Sequence, residues 1–88
     1  MNRPRPKKVR LREVIHSAVR ALRDAGVSFG HGTTNARDEA AYLALHALRL
    51  PLDTSDWEIE VSPAAAARVD ALVQRRIRER KPAAYLTH

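Results

Sequence analysis

No cysteine occurs in this chain of 88 residues, so neither a disulfide framework nor a thiolate metal site can be built. No apolar run approaches the roughly 20 residues that a bilayer-spanning helix needs. The N-terminus is basic, but no apolar core follows it, which argues against a signal peptide. Aromatic side chains are few, with one Phe, one Trp and two Tyr, and they leave little material for a platform on which bases stack. Glycine is scarce as well, and two of the three glycines, Gly30 and Gly32, bracket His31. This GHG run is too short for a P-loop and no lysine follows it, so a phosphate cradle is not supported. The four histidines (16, 31, 46 and 88) are scattered without metal-ligand spacing. A single soluble, cytoplasmic domain with a small core and no membrane partner is the simplest expectation.

What the chain does have is positive charge, unevenly placed. The net charge is +6. Residues 1–12 carry Arg3, Arg5, Lys7, Lys8, Arg10 and Arg12 with no acid. Residues 75–81 carry Arg75, Arg76, Arg78, Arg80 and Lys81 against Glu79 alone. The intervening residues 13–74 hold five basic and nine acidic side chains. The basic character therefore belongs to the two ends. Such clusters attract acidic partners, nucleic acid among them. The competing reading is a solvated tail and a solvated helix face, with the arginines complementing a helix C-terminus.

In chain order, Pro4 and Pro6 among basic residues predict an extended arm over residues 1–10. Leu11, Val14, Ile15, Ala18, Val19 and Leu22 then fall on one helical stripe, and Gly26 is placed to end that helix as the C′ residue. Val27 and Phe29 are expected to pin the following loop to the core. His16 lies off the stripe and reads as solvated. Asn35 is an N-cap candidate with Asp38 three residues on and Glu39 beside it in the first turn. A second helix follows to about Arg49, its inner face Ala40, Leu43, Ala44, Ala47 and Leu48, and Pro51 is expected to stop it. Tyr42, Leu45 and Leu50 widen the apolar surface, which suits a central helix approached from more than one side. Glu39 lies close to that surface, and burial of its carboxylate would demand a cap, an arginine or a backbone donor.

The segment LDTSDWEIEVS is acidic and rich in turn residues, with Trp57 and Ile59 as anchors and room for a short helical turn. EIEV alternates like a strand, but it has no evident partner and reads as a loop. Ser62-Pro63 is a strong helix start. A third helix runs from there to about Lys81 with a core stripe of Ala66, Val69, Leu72, Val73 and Ile77, and Pro82 ends it. PAAYLTH leaves Tyr85 and Leu86 apolar at the terminus, as though the chain were cut from something longer. The fold class expected is all-α, a small bundle of three main helices.

Three runs of residues resemble a known family. FGHGTTNARDEA, the helix ending LRLPLD, and the basic helix running into RKPAAYLT are similar to the N-terminal region of the HemK-type protein-glutamine methyltransferases. Within that family the resemblance is strongest to the branch that modifies a large-subunit ribosomal protein, the third in the usual numbering. The likeness spans residues 11–87. It implies a parent enzyme that transfers a methyl group from S-adenosylmethionine to a glutamine side-chain amide, in a Rossmann-like domain with a glycine-rich motif and an Asn-Pro-Pro-Tyr motif. Neither motif is present, and no Asn-Pro dipeptide occurs. The chain therefore reads as the helical substrate-recognition domain (residues 11–81). Residues 1–10 are its basic arm, and residues 82–88 begin a linker to the parent's own catalytic domain.

On this reading no residue here is catalytic, cofactor-binding or metal-binding, and S-adenosylmethionine belongs to the parent. The partner is a ribosomal protein, presented with ribosomal RNA. Phe29, His31, Thr33 and Asn35 of the glycine loop and Arg75, Arg76, Arg78 and Arg80 are the recognition candidates. The alternative from another class is a free-standing basic helical module that binds nucleic acid. A third is a dimer domain joined through Leu45, Leu50, Tyr85 and Leu86.

Overall fold

A computed structural model describes residues 8–27 and 35–80. Three helices carry the fold: α1 (Leu11–Asp24), α2 (Ala36–Ala47) and α3 (Pro63–Glu79). Two short strands, β1 (Val9–Arg10) and β2 (Glu60–Val61), pair antiparallel with Val9 opposite Val61 and Arg10 opposite Glu60. The all-α fold class stands, with this two-residue ladder added to it.

The stripe of α1 is buried as its spacing predicts: Leu11, Val14, Ile15, Ala18, Val19 and Leu22 all lie in the core. The helix ends in a Schellman turn. Gly26 adopts φ +64°, its N–H reaching the carbonyl of Arg23 and that of Val27 reaching Leu22. Val27 is buried below the turn. The end of α2 has the same pattern, because the N–H groups of Arg49 and Leu50 donate to the carbonyls of His46 and Leu45. Here Arg49 takes the left-handed conformation at φ 57°. The expectation that Pro51 stops α2 is thus corrected. The chain has turned two residues earlier, and Pro51 lies beyond a helix already closed.

The reading of EIEV as a loop is also corrected. Its partner is Val9–Arg10, residues assigned to the arm because basic and proline neighbours mask a two-residue strand. The pairing continues into α1, where the N–H groups of Leu11 and Arg12 donate to the carbonyls of Ile59 and Trp57, each at 2.9 Å. Two first-turn donors that a helix leaves open are thereby satisfied by a distant segment. Glu13 Oε1 accepts from the Arg10 N–H at 3.3 Å and completes that end.

Caps follow the sequence. Asn35 Oδ1 accepts from the Asp38 N–H at 2.9 Å, and Ser62 Oγ accepts from the Ala65 N–H at 3.1 Å. In α3 the fully buried positions are Val69, Val73 and Arg76, while Ala66, Leu72 and Ile77 are partly buried against them. Leu43, Ala40 and Ala44 of α2 are completely covered. Deleting a buried leucine such as Leu22 or Leu43 from so small a core costs about 2–5 kcal/mol.

Three ties fix the helix directions. The β1–β2 ladder joins the start of α1 to the start of α3. Arg80, just past α3, donates from Nη1 to the carbonyl of Ala25, the C-cap of α1, at 3.1 Å. Glu39 in the first turn of α2 meets Arg76 in the last turn of α3. α1 and α3 therefore run the same way and α2 runs back between them, an up–down–up bundle.

Candidate recognition surfaces

The bundle end opposite the ladder gathers the end of α1, the start of α2 and the end of α3. Val27 and Asn35, the described residues flanking the glycine loop, belong to it. Of the recognition candidates, Phe29, His31 and Thr33 lie outside the described residues. Asn35 is exposed and is engaged as the α2 cap, its Nδ2 also donating to Asp38 Oδ2 at 3.4 Å. Arg75 is exposed and paired with Glu79 at 2.6 Å. Such a solvated i,i+4 pair stabilises little and leaves the guanidinium usable. Arg78 is exposed and has no ion-pair partner among the described residues. Arg80 is exposed while its Nη1 holds the Ala25 carbonyl, a cation at the negative end of α1.

Arg76 is different. It is 2 % exposed and its Nε donates to Glu39 Oε2 at 2.8 Å. Its guanidinium is committed to a carboxylate that is 1 % exposed, so it cannot form part of a contact surface. The expectation that Arg76 is a recognition residue with Arg75, Arg78 and Arg80 is corrected by helical phase. Arg76 lies three and seven residues beyond the core positions Val73 and Val69, hence on the buried face. Glu39 has found the arginine that its burial demanded.

The dimer surface also changes. Leu45 is buried and Leu50 half-buried, and Tyr85 and Leu86 lie outside the described residues. Among the described residues Leu52, 58 % exposed, is the exposed large hydrophobic side chain.

A further surface escaped the sequence reading. On the flank of α1 beside its buried stripe, Arg12, His16, Arg20 and Arg23 follow one another at steps of four, four and three residues. Across from them stands Trp57, with the guanidinium carbon of Arg37 5.4 Å from its ring centroid. Together they line an open groove of about 730 Å³. Trp57 is half-buried, and its Nε1–H donates to the Thr54 carbonyl at 3.2 Å. The spacing of these α1 side chains is visible in the sequence. The position of Trp57 is not, because it depends on the β1–β2 pairing.

Two smaller grooves flank the bundle. One, about 320 Å³, lies between α1 and α3 over Val14, Ala18, Val69 and Val73, with Glu13 and Asp70 at its rim. The other, about 360 Å³, lies by the ladder over Leu48, Leu50, Ile59 and Val61. Among the described residues no cluster of His, Asp or Glu is arranged to hold a metal ion, and no helix is long and apolar enough to cross a membrane.

The profile of the family described as the PrmC N-terminal domain matches residues 13–87. A ribosomal protein uL3 glutamine methyltransferase of Bordetella pertussis is 52 % identical over 79 residues, 88 % of this chain and 26 % of the relative. The protein of the same name from Neisseria meningitidis serogroup B is 48 % identical over 80 residues, 89 % of this chain and 26 % of the relative. That of Xanthomonas campestris pv. campestris is 44 % identical over 77 residues, 85 % and 25 %. The chain thus spans about a quarter of the length of the curated relatives it matches. No solved structure matches it.

Proposed function

The chain belongs to the PrmC N-terminal domain family, and from that premise we propose that it is the substrate-recognition domain of an S-adenosylmethionine-dependent protein-glutamine N5-methyltransferase acting on ribosomal protein uL3. The observation that carries this reading is the match of nearly the whole chain to about a quarter of several proteins named for that activity. Such a protein works in the cytoplasm, where ribosomes assemble.

S-adenosylmethionine does not fit the residues present. Among the described residues no glycine-rich turn joins a strand to a helix. The groove of about 730 Å³ beside Trp57 is lined by guanidinium groups, which repel a sulfonium cation. Cofactor and chemistry are therefore assigned to the parent's catalytic domain, with residues 82–88 leading towards it and residues 1–7 as a basic arm.

The work of this domain is to hold the substrate protein. We assign the contact to the bundle end where α1 and α3 finish and α2 begins. Asn35, Arg75, Arg78 and Arg80 contribute from the described residues, and Phe29, His31 and Thr33 from the glycine loop. Arg76 and Glu39 support this end from inside, as a buried ion pair. Calorimetric titration tests the division of labour. The 88-residue chain is expected to bind purified bacterial uL3 saturably and to give no heat with S-adenosylmethionine. Failure to bind uL3, or binding of the cofactor, would overturn it.

A further inference from the structure

We propose that the groove between α1 and Trp57 binds a nucleic-acid strand, through its phosphates and one stacked base. The proposal does not rest on the uL3 reading; the groove borders the bundle end assigned to uL3 at Arg23 and Arg37, and Arg12, His16, Arg20 and Trp57 carry it away from that end.

Charge is the first argument. Arg12, Arg20, Arg23 and Arg37 line the groove together with His16, and the acid among the lining residues is Glu13. Glu13 already accepts the Arg10 N–H. Nearby Glu58 is paired with Arg12, Arg12 Nε standing 3.0 Å from its Oε2. The cations left over are Arg20, Arg23 and Arg37, all exposed. Set against the Glu13 carboxylate, which keeps its charge on accepting an N–H, they remain net positive, drawn from two helices in a segment whose overall balance is acidic.

Spacing is the second. At 1.5 Å rise per residue, the α1 side chains stand at intervals of about 4.5–6 Å along the helix. Arg20 and Arg23 one turn apart, with Arg37 lining the same groove, are matched by a polymer that carries one charge on every unit. An acidic peptide offers that only where Asp and Glu run without a break.

The third is Trp57. Its ring walls the groove beside the cations, and Arg37 stacks upon it at a distance that makes a cation–π contact. A partly exposed aromatic next to a track of arginines is the arrangement that holds single strands, the phosphates on the track and a base against the ring.

Trp57 is the one tryptophan of the chain, so its fluorescence reports on this groove directly. The full 88-residue chain would be titrated at low salt with a short mixed-sequence RNA, the DNA of the same sequence, and poly-glutamate. Binding of RNA or DNA with quenching of Trp57 is expected, and the RNA–DNA ratio shows whether the 2′-hydroxyl is read. The R20A/R23A variant is expected to weaken binding roughly tenfold and to reduce the slope of log affinity against log salt by about 1.4. The R49G/R68A variant removes the same charge elsewhere and should leave affinity within about twofold. Both variants change exposed residues, and unchanged far-UV dichroism verifies their folding. Binding of uL3 by the single R20A variant, which lies before the last turn of α1, is expected to be unaltered while its nucleic-acid affinity falls, which separates this proposal from the preceding one. The proposal is overturned by an absence of nucleic-acid binding, by binding that leaves Trp57 emission unmoved, by equal losses in the two variants, or by tighter binding of poly-glutamate.

Discussion

Glu39 and Arg76, 37 positions apart in sequence, meet at 2.8 Å with both side chains almost wholly out of water. The pair ties the first turn of α2 to the last turn of α3, each charge at the helix end whose dipole favours it. Removing one side chain takes from the other its buried ion-pair partner. Glu39→Ala or Arg76→Ala is therefore expected to cost about 3–5 kcal/mol, much of the stability of a domain this small. Glu39→Leu combined with Arg76→Met removes both charges and should recover most of that loss. Urea unfolding of the singles and the double measures it. A double as unstable as either single would show that the pair does more than neutralise itself.

Arg49 holds a left-handed conformation at φ 57° with its side chain exposed. A residue with a Cβ is disfavoured there by about 1 kcal/mol, and glycine is not. Arg49→Gly is expected to stabilise the domain by up to about 1 kcal/mol, a rise of several degrees in Tm. Gly26→Ala is the mirror case. Open space surrounds the added Cβ, but φ +64° penalises it, and a loss of about 1 kcal/mol is expected. Thermal melts of the two variants should move in opposite directions.

Leu11 and Arg12 sit in the first turn of α1, where amides usually exchange quickly. Their bonds to the Ile59 and Trp57 carbonyls predict protection comparable to that of the helix middle, as measured by amide hydrogen exchange. Fast exchange at both would contradict the ladder's continuation into the helix.

Most of the helical architecture was legible because each helix announces itself. The apolar spacing of α1 gave its buried face residue by residue, and Asn35 and Ser62 marked the starts of α2 and α3. The ladder was not legible, since two strands of two residues carry no periodicity and each is defined by the other. Charge alone groups Arg76 with its arginine neighbours, whereas its phase relative to Val69 and Val73 puts it inside. Glu39 was flagged as needing a partner, but nothing local to it could say which arginine would come. The Arg20–Arg23–Arg37–Trp57 groove was invisible for the reason the ladder was, being assembled from three segments that meet only in the fold.

Ser62→Ala removes the acceptor for the Ala65 N–H and is expected to cost about 1 kcal/mol. The loss should fall at the ladder end of α3 and leave uL3 affinity untouched, because the assigned contact is at the other end. A coupled loss of uL3 binding in calorimetry would relocate that contact.

Amide chemical-shift mapping of the isotopically labelled chain during titration with uL3 tests the recognition role most directly. The account predicts saturable shifts concentrated at Val27, Asn35, Arg75, Arg78 and Arg80. Shifts confined to the β1–β2 end, or none at all, would contradict it.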